Sequence, residues 1–328
     1  MSIEMKYKVV NLMPRDNLEL ERAILKKVGC EVIQGSGNTS KEIIETAKGA
    51  NALIGSGQPI IREVLEALPK LRIVALIGVG FDKVDIKAAT DNKVLVTHVP
   101  DIITDQVVNH TLALILSLIR RIPQGDKRVK AGIWESDMSR WAKPVPRLRG
   151  LTAGIVGFGR TGKTIGQRLK TFGLDIVVYD PYVRSETRPE VRFVSTLREL
   201  LKQSDIVTIH IFLSDETTHL IGEEELQVMK KTAFLVNTSR GPVVDEKALC
   251  QALTQGWIAG AALDVMETEP PREDNPLLRL ENIIVTPHVA YYSDESVLEQ
   301  RRRTAEEVSR ALQGLPPLHP VNPEVLHS

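Results

Sequence analysis

Aromatic residues are scarce in this sequence, at 4% of 328 residues, so its core has to be built from aliphatic side chains. Cysteine is scarcer still. Cys30 and Cys250 are the only two, with no metal-type spacing, and they are expected to be free thiols in a reducing compartment. A cytoplasmic location is the default that follows. No charge of one sign dominates, because acidic and basic residues balance at 42 each. Nothing therefore draws the chain to nucleic acid or to anionic lipid through a net field. The positive runs Arg120–Arg121 and Arg301–Arg303 are short, lie in helical patterns and read as solvated helix faces. Long hydrophobic runs are missing as well. The longest, Leu112–Ile119, is broken by Ser117 and ended by two arginines, against the ~20 apolar residues that span a bilayer. The N-terminal MSIEMKYKVVNLM is too acidic, and its apolar part too short, for a signal peptide. No metal site, nucleic-acid partner or membrane partner is expected, and there is no low-complexity segment.

What is present is alternation. Single cores stop growing at roughly 250–300 residues, so a chain of 328 is expected to hold two domains. KYKVVNL, CEVIQG, NALIGSG, LRIVALIG and KVLVTHVP read as strands separated by helical patterns such as NLELERAILKKVG, TSKEIIETAKGA and IIREVLEALPK. Strands alternating with helices argue a parallel sheet covered on both faces. Residues 101–121 read as one apolar helix between Pro100 and Pro123. The stretch 124–150 reads as a helix and then an irregular loop, with Trp134 and Trp141 either at a subunit contact or packed on their own domain. From Leu151 a second series begins: LTAGIVGFG, LDIVVYD, RFVS, DIVTIHI, AFLVNTS, IAGAALDV and NIIVTP are strands, 293–313 a long helix, and the tail is proline-rich. IGVGFDKVDI at 77–86 echoes VGFGRTGKTI at 156–165, each reading as strand, glycine turn and helix. Two similar domains would give that echo, and so would chance.

GFGRTG places Gly157, Gly159 and Gly162 in G-x-G-x-x-G spacing between an apolar strand and a helix. The first glycine permits a tight turn, the second lets backbone approach a pyrophosphate, and the third lets helix and strand pack closely. The helix N-terminus then offers N–H groups to the phosphates. The next strand ends in Asp180, 18 residues beyond Gly162. A carboxylate there accepts from both ribose hydroxyls and repels a 2′-phosphate, which favours NAD over NADP. The alternative is an aspartate that merely caps a turn before Pro181.

Three further residues sit at strand ends downstream: Arg240 after FLVNTS, Glu269 within METEP and His288 after NIIVTP. Converting a 2-keto acid to a 2-hydroxy acid needs a group that grips the carboxylate, which a guanidinium does with two hydrogen bonds. It needs positive charge where the oxygen gains electrons, and a proton source in the range of histidine. A carboxylate beside that histidine fixes its tautomer and stabilises its charged form. Each residue alone also has an ordinary structural explanation, and spacing does not show that they meet.

With these motifs in order, the sequence resembles the D-isomer-specific 2-hydroxyacid dehydrogenase family over nearly its whole length. The resemblance is carried by LRGLTAGIVGFGRTGKTIGQRLKTFG, MKKTAFLVNTSRGPVVDEKAL, GWIAGAALDVMETEPP and NIIVTPHVA. HVAYYSDES and VPDIITDQVVNH are closest to the subgroup of C-terminal-binding corepressor-like dehydrogenases. The resemblance implies an α/β fold of two Rossmann-like doubly wound parallel-sheet domains. An NAD-binding domain, 101–293, is inserted into a flavodoxin-like catalytic domain, 1–100 and 294–328. Closure over the substrate about two linking helices and a homodimer through the cofactor domain are implied too. Arg240 would bind the substrate carboxylate and polarise the carbonyl, His288 would be the acid–base, and Glu269 its partner. Asp180 would take the ribose, and Arg160 and Thr161 the pyrophosphate. Thr238, Ser239 and Asp264 would line the nicotinamide side, with Ile211, Val79 and Tyr291 also at the cofactor. Val79 and Gly80 would offer N–H groups to the substrate carboxylate.

The activity implied is hydride transfer between nicotinamide and C2 of a small anionic D-2-hydroxy or 2-keto acid: glyoxylate, hydroxypyruvate, pyruvate or a larger one. The alternatives are an NAD(H)-sensing scaffold with little turnover, and a phosphoglycerate dehydrogenase. Phosphoglycerate enzymes often carry an arginine where this sequence has Ser56, Gly57 and Gln58, which argues against a phosphorylated substrate. Some of them also carry a further C-terminal regulatory domain, which is not expected here. Tyr291 replaces a tryptophan common in the subgroup and would border the substrate side chain.

Overall fold

The computed structural model describes residues 5–14, 17–137, 145–183 and 191–327. The chain divides into two compact units, one of 1–103 and 293–328, the other of 104–292. The second is thus an insertion in the sequence of the first.

The first unit holds β1 (Tyr7–Asn11), α1 (Glu19–Leu25), β2 (Cys30–Gln34), α2 (Ser40–Thr46), β3 (Ala52–Gly55), α3 (Arg62–Ala67), β4 (Ile73–Leu76), α4 (Ile86–Asp91) and β5 (Leu95–Thr97). Its five strands run in the order β2-β1-β3-β4-β5, all pairs parallel, which is the flavodoxin-like order. β3 and β4 are buried along their whole length, as strands covered on both faces must be. One face packs on Ile43, Val64, Leu65 and Ala88, from α2, α3 and α4. The other packs on Leu25 of α1 and, from the far end of the chain, on Ala305, Val308 and Leu312. Beyond that end the tail pairs antiparallel with the sheet edge at Thr97 and Pro320. Asn322 fixes it, accepting from Val96 N (2.8 Å) and donating to Val94 O (2.9 Å).

The second unit opens with α5 (Thr104–Arg120) and α6 (Ile122–Lys130). It continues through β6 (Thr152–Val156), α7 (Arg160–Thr171), β7 (Asp175–Tyr179), β8 (Arg192–Phe193), α8 (Leu197–Gln203) and β9 (Ile206–Ile209). α9 (Glu223–Val228), β10 (Phe234–Asn237), α10 (Glu246–Gln255), β11 (Gly260–Leu263) and β12 (Ile283–Val285) complete it. The last helix, α11 (Asp294–Leu312), returns to the first unit. The seven strands are all parallel, in the order β12-β11-β10-β9-β6-β7-β8, so the order reverses between β6 and β9. Ligands of open α/β sheets bind outside the carboxyl ends of the strands at such a reversal. α5 and α7 cover one face through Ile115, Leu118, Ile165 and Leu169. α8, α9 and α10 cover the other through Leu200, Leu226 and Leu249. These last three helices are short and absent from the sequence reading, which names only strands there.

Three expectations change. Arg121 is no solvated residue: it is 5% exposed, in a left-handed turn (φ 55) between α5 and α6, with its guanidinium 5.5 Å from the Phe234 ring centroid. Arg301 likewise makes two 2.7 Å bonds to the buried Glu21. The glycine echo is only partial. Gly78 and Gly157 both have positive φ (100 and 90), but α7 starts three residues after Gly157 while α4 starts eight after Gly78. Trp134 is exposed, and Trp141 lies outside the described residues.

Candidate active site

The glycine loop joins β6 to α7 where the strand order reverses. A Cβ on Gly157 would lie 2.5 Å from His210 O and 2.6 Å from Ile211 Cγ2, so β6 and the end of β9 meet there without room for a side chain. A Cβ on Gly162 would lie 2.0 Å from Gly157 O. Gly159 differs: its Cβ would meet nothing within 4 Å, and it caps α7 with no side-chain bond to the helix. Bare backbone facing open space at an uncapped helix N-terminus fits a pyrophosphate. Arg160 and Thr161 form the first turn of that helix. Asp180 follows β7, and its carboxylate accepts from Phe158 N (2.7 Å) and Tyr182 N (2.9 Å). One bond to each oxygen leaves both able to accept from a ribose hydroxyl. His210, not singled out from the sequence, shares a 2.9 Å bond with Thr208, and burial pushes its pKa down to about 3, so the ring is neutral at physiological pH. Its position at the end of DIVTI, opposite the glycine loop, was the available signal.

Arg240 is placed by a turn after β10. The buried Asn237 accepts from Ser239 N (3.0 Å) and Oγ (2.8 Å) and donates to Arg240 O (2.8 Å). Arg240 Nη1 donates to Ser239 O (2.7 Å). Thr238 is buried and bonded to Thr111 of α5 (2.9 Å). A Cβ on Gly241 would lie 1.9 Å from Met266 O, so the arginine turn and the segment carrying Glu269 touch backbone to backbone. That segment is clamped by reciprocal bonds, Glu246 N to Glu267 (2.8 Å) and Glu267 N to Glu246 (2.6 Å). Within it Glu269 accepts from Met266 N (2.9 Å) and from His288 Nδ1 (2.7 Å).

His288 itself sits at φ 53, a left-handed conformation that only a well-determined loop sustains. Asp264, 1% exposed, determines it. Its carbonyl accepts from His288 N (2.8 Å). Its carboxylate accepts from Thr286 Oγ1 (2.6 Å), Val289 N (3.0 Å) and Ala290 N (2.8 Å). His110 of α5 stands 3.0 Å from Thr286 Oγ1 and 3.4 Å from Asp264. Burial would raise the Asp264 pKa, and the bonds from His110, Thr286, Val289 and Ala290 outweigh it and hold it below the ordinary value. Glu269 behaves alike: burial raises it, but the His288 bond, the Met266 N–H and the charges of His288 and Arg240 lower it overall. An ionised Glu269 accepts only, so the proton it meets is on His288 Nδ1. Asn237, Gly241 and His110 were not found from the sequence. An asparagine ending a strand and a glycine in an RGP turn are the signals they left.

Val79 and Gly80 belong to the first unit, in the turn after β4. Tyr291 is partly exposed, its ring 6.3 Å from that of Tyr292. Among the described residues no cluster of side chains forms a metal site, and no helix is long and apolar enough to cross a membrane.

Residues 112–290 match the family described as D-isomer specific 2-hydroxyacid dehydrogenase, NAD binding domain. The chain is 43% identical over 291 residues to a glyoxylate reductase of Korarchaeum cryptofilum, covering 88% of this chain and 87% of that one. It is 40% identical over 294 residues to a D-3-phosphoglycerate dehydrogenase of Methanocaldococcus jannaschii, covering 89% of this chain and 55% of that one. A D-lactate dehydrogenase of Aquifex aeolicus, solved with NAD and lactic acid, superposes with a TM-score of 0.84 at 30% identity over 98% of this chain and 97% of that one. The chain belongs to the D-isomer specific 2-hydroxyacid dehydrogenase family, as an NAD-dependent oxidoreductase of 2-hydroxy acids.

Proposed function

We propose that the enzyme interconverts a short 2-keto acid, glyoxylate foremost, and its D-2-hydroxy acid, with Arg240, Glu269 and His288 carrying the chemistry. The 2.7 Å bond from His288 Nδ1 to Glu269 carries this reading. With Nδ1 committed to the carboxylate, Nε2 is the atom that gives a proton to the substrate oxygen or takes it back. The negative charge of Glu269 stabilises the imidazolium that forms in the oxidation direction. Arg240, whose charge reaches Glu269, grips the substrate carboxylate and draws electron density toward the carbonyl oxygen. Bound NADH supplies the hydride to the carbonyl carbon, and NAD takes it in the reverse direction.

Asp180 holds the adenosine ribose, and Gly157, Gly159, Arg160, Thr161 and Gly162 hold the pyrophosphate. Thr238, Ser239 and Asp264 line the nicotinamide side, Ile211, Val79 and Tyr291 also meet the cofactor with Tyr291 bordering the substrate side chain, and Val79 and Gly80 contribute amides to the carboxylate. A short, uncharged substituent on the substrate is favoured because the turn after β3 holds Ser56, Gly57 and Gln58. The Gln58 side chain there accepts from Ser56 N (2.6 Å) and brings no cation for a phosphate. The relatives named glyoxylate reductase point the same way. A cytoplasmic setting suits the two free thiols. A second copy covering the exposed Ile122, Val129 and Trp134 would make the enzyme a homodimer, which light scattering reads directly.

The test is a keto-acid panel followed by NADH absorbance, with Arg240→Ala and His288→Ala alongside the wild type. Glyoxylate is expected to give the highest kcat/KM. Loss of the acid–base is expected to lower kcat by about 10²–10⁴-fold. Wild-type turnover in both variants would overturn the assignment.

A further inference from the structure

We infer that His98 is a positioning residue that aims the N–H groups of Val79 and Gly80 as a paired donor for the substrate carboxylate. This rests on the reading above that those two amides bind the carboxylate.

The turn after β4 carries no helix to orient it. Gly78 takes φ 100, a conformation open to glycine, and Val79 follows with ordinary negative φ. The next two carbonyls are both tied to the chain just after β5. Gly78 O accepts from Val99 N (2.7 Å). Val79 O accepts from the His98 side chain, Nδ1 to O 2.9 Å. Among the described peptides only Glu269–Pro270 is cis, so these two are trans and planar. In a trans peptide the N–H of one residue points opposite to the carbonyl of the residue before it. Fixing the carbonyls of Gly78 and Val79 toward β5 therefore turns the N–H groups of Val79 and Gly80 the other way, side by side. Successive amides on one side of a turn of alternating hand form a concavity that binds anions.

One of the two ties is backbone to backbone. The other exists only because residue 98 carries a donor at its δ position. Packing does not replace it, since Val79 and Phe81 are both exposed by more than a third. His98 is itself held in place. Its N donates to His319 O (3.2 Å), and its ring and that of Phe81 stand edge-to-face with centroids 5.7 Å apart. A carbonyl only accepts, so Nδ1 carries the hydrogen in this bond.

Oxamate, a keto-acid analogue with a carboxylate, is the probe, titrated onto the NADH-loaded enzyme by calorimetry. NADH affinity is measured separately by fluorescence. His98→Phe keeps a ring against Phe81 and removes the donor. It is expected to weaken oxamate and raise the keto-acid KM about tenfold, with kcat within about twofold and NADH binding unchanged. His98→Asn, whose Nδ2 takes the place of Nδ1, is expected to return oxamate affinity to within about threefold of wild type. A Phe variant that binds oxamate like the wild type, or an Asn variant as weak as the Phe variant, overturns the inference. Gly80→Pro removes the second amide outright. If it leaves oxamate affinity intact, the carboxylate reading itself fails. If it weakens oxamate while His98→Phe does not, only the role of His98 fails.

Discussion

Both units place a glycine with positive φ at the carboxyl end of a parallel strand, Gly78 after β4 and Gly157 after β6, yet the two turns are organised differently. After Gly157 a helix begins within three residues, and its uncapped amino end supplies N–H groups and a dipole without help from side chains. After Gly78 no helix follows for eight residues, and the direction of the amides depends on where neighbouring groups pull the carbonyls. The first arrangement suits an extended pyrophosphate that must be approached closely. The second suits one compact carboxylate whose two oxygens take one amide each. Similar letters in sequence, GVGF and GFGRTG, thus encode one turn held by a backbone and a side-chain tie and one turn held by the start of a helix.

That contrast predicts that the glycines of the turn between β6 and α7 divide sharply. Gly162→Ala would drive a Cβ to 2.0 Å from Gly157 O, a backbone atom that has nowhere to go. Overpacking of this kind costs roughly 1–3 kcal/mol or more, so a lowered Tm together with lost NADH binding is the expected outcome. Gly159→Ala meets nothing within 4 Å. Its Tm should stay near wild type while NADH affinity falls, because the new methyl occupies the space left for the phosphates. Equal Tm losses in the two variants would erase the distinction between packing glycine and approach glycine. Gly241→Ala belongs with the first kind, its Cβ lying 1.9 Å from Met266 O, and should cost both stability and turnover.

A smaller effect is expected at Asp264, which holds the His288 loop through three donors to its carboxylate. Asp264→Asn keeps the shape but can accept at only one oxygen. Leaving a buried donor unpaired costs about 1–3 kcal/mol. We expect kcat to fall together with Tm, more than for Thr286→Val, which removes a single donor. The lowered pKa of Asp264 sets the pH dependence: its stabilisation is present above the ordinary aspartate value and is lost as pH falls through the depressed one. The acid limb of unfolding should therefore move toward neutral pH in any variant that breaks these bonds. An unchanged limb in Thr286→Val and Asp264→Asn alike would show that the loop is held by something else.

How much of this was legible beforehand follows from the same contrast. The strands and the glycine loop could be read because continuous apolar runs and close backbone packing constrain residue type directly. Arg240, Glu269 and His288 could be named from chemistry and family resemblance, but not shown to meet. What joins them is backbone to backbone at Gly241 and Met266, and backbone contact leaves almost no mark on residue choice except a glycine. Arg121 was misread because an arginine after an apolar helix looks the same in sequence whether it faces water or, as here, lies over the ring of Phe234. The helices α8, α9 and α10 escaped because seven, six and ten residues give too few repeats for a 3.6-residue period to stand out.

The smallest expected effect separates the carboxylates of the two units. Glu269, in the second, has its pKa lowered, while Glu307, in the first, has its pKa raised. Glu307 is 2% exposed on α11 and accepts from Leu318 N at 3.0 and 3.1 Å, pinning the start of the tail. Burial raises its pKa, and the N–H groups of Leu318 and His319 with the charges of His319 and Arg310 only partly offset this. A carboxyl whose folded pKa lies above its unfolded one adds stability at low pH, and that stability is lost as pH rises through the folded value. Glu269 has the opposite sign, stabilising above the ordinary glutamate value and losing the contribution as pH falls. Glu307→Gln removes the titration but keeps an acceptor for Leu318. Its stability at neutral pH should stay within about 1 kcal/mol of wild type. The signature lies in the slope: from mildly acidic to neutral pH the Tm of the wild type should decline relative to that of the variant, with NADH and oxamate binding unaltered. Parallel Tm curves for the two proteins across that range would mean that Glu307 is as well solvated as a surface carboxylate, and that the tail is held by Asn322 and its pairing along the β5 edge without help from this carboxyl.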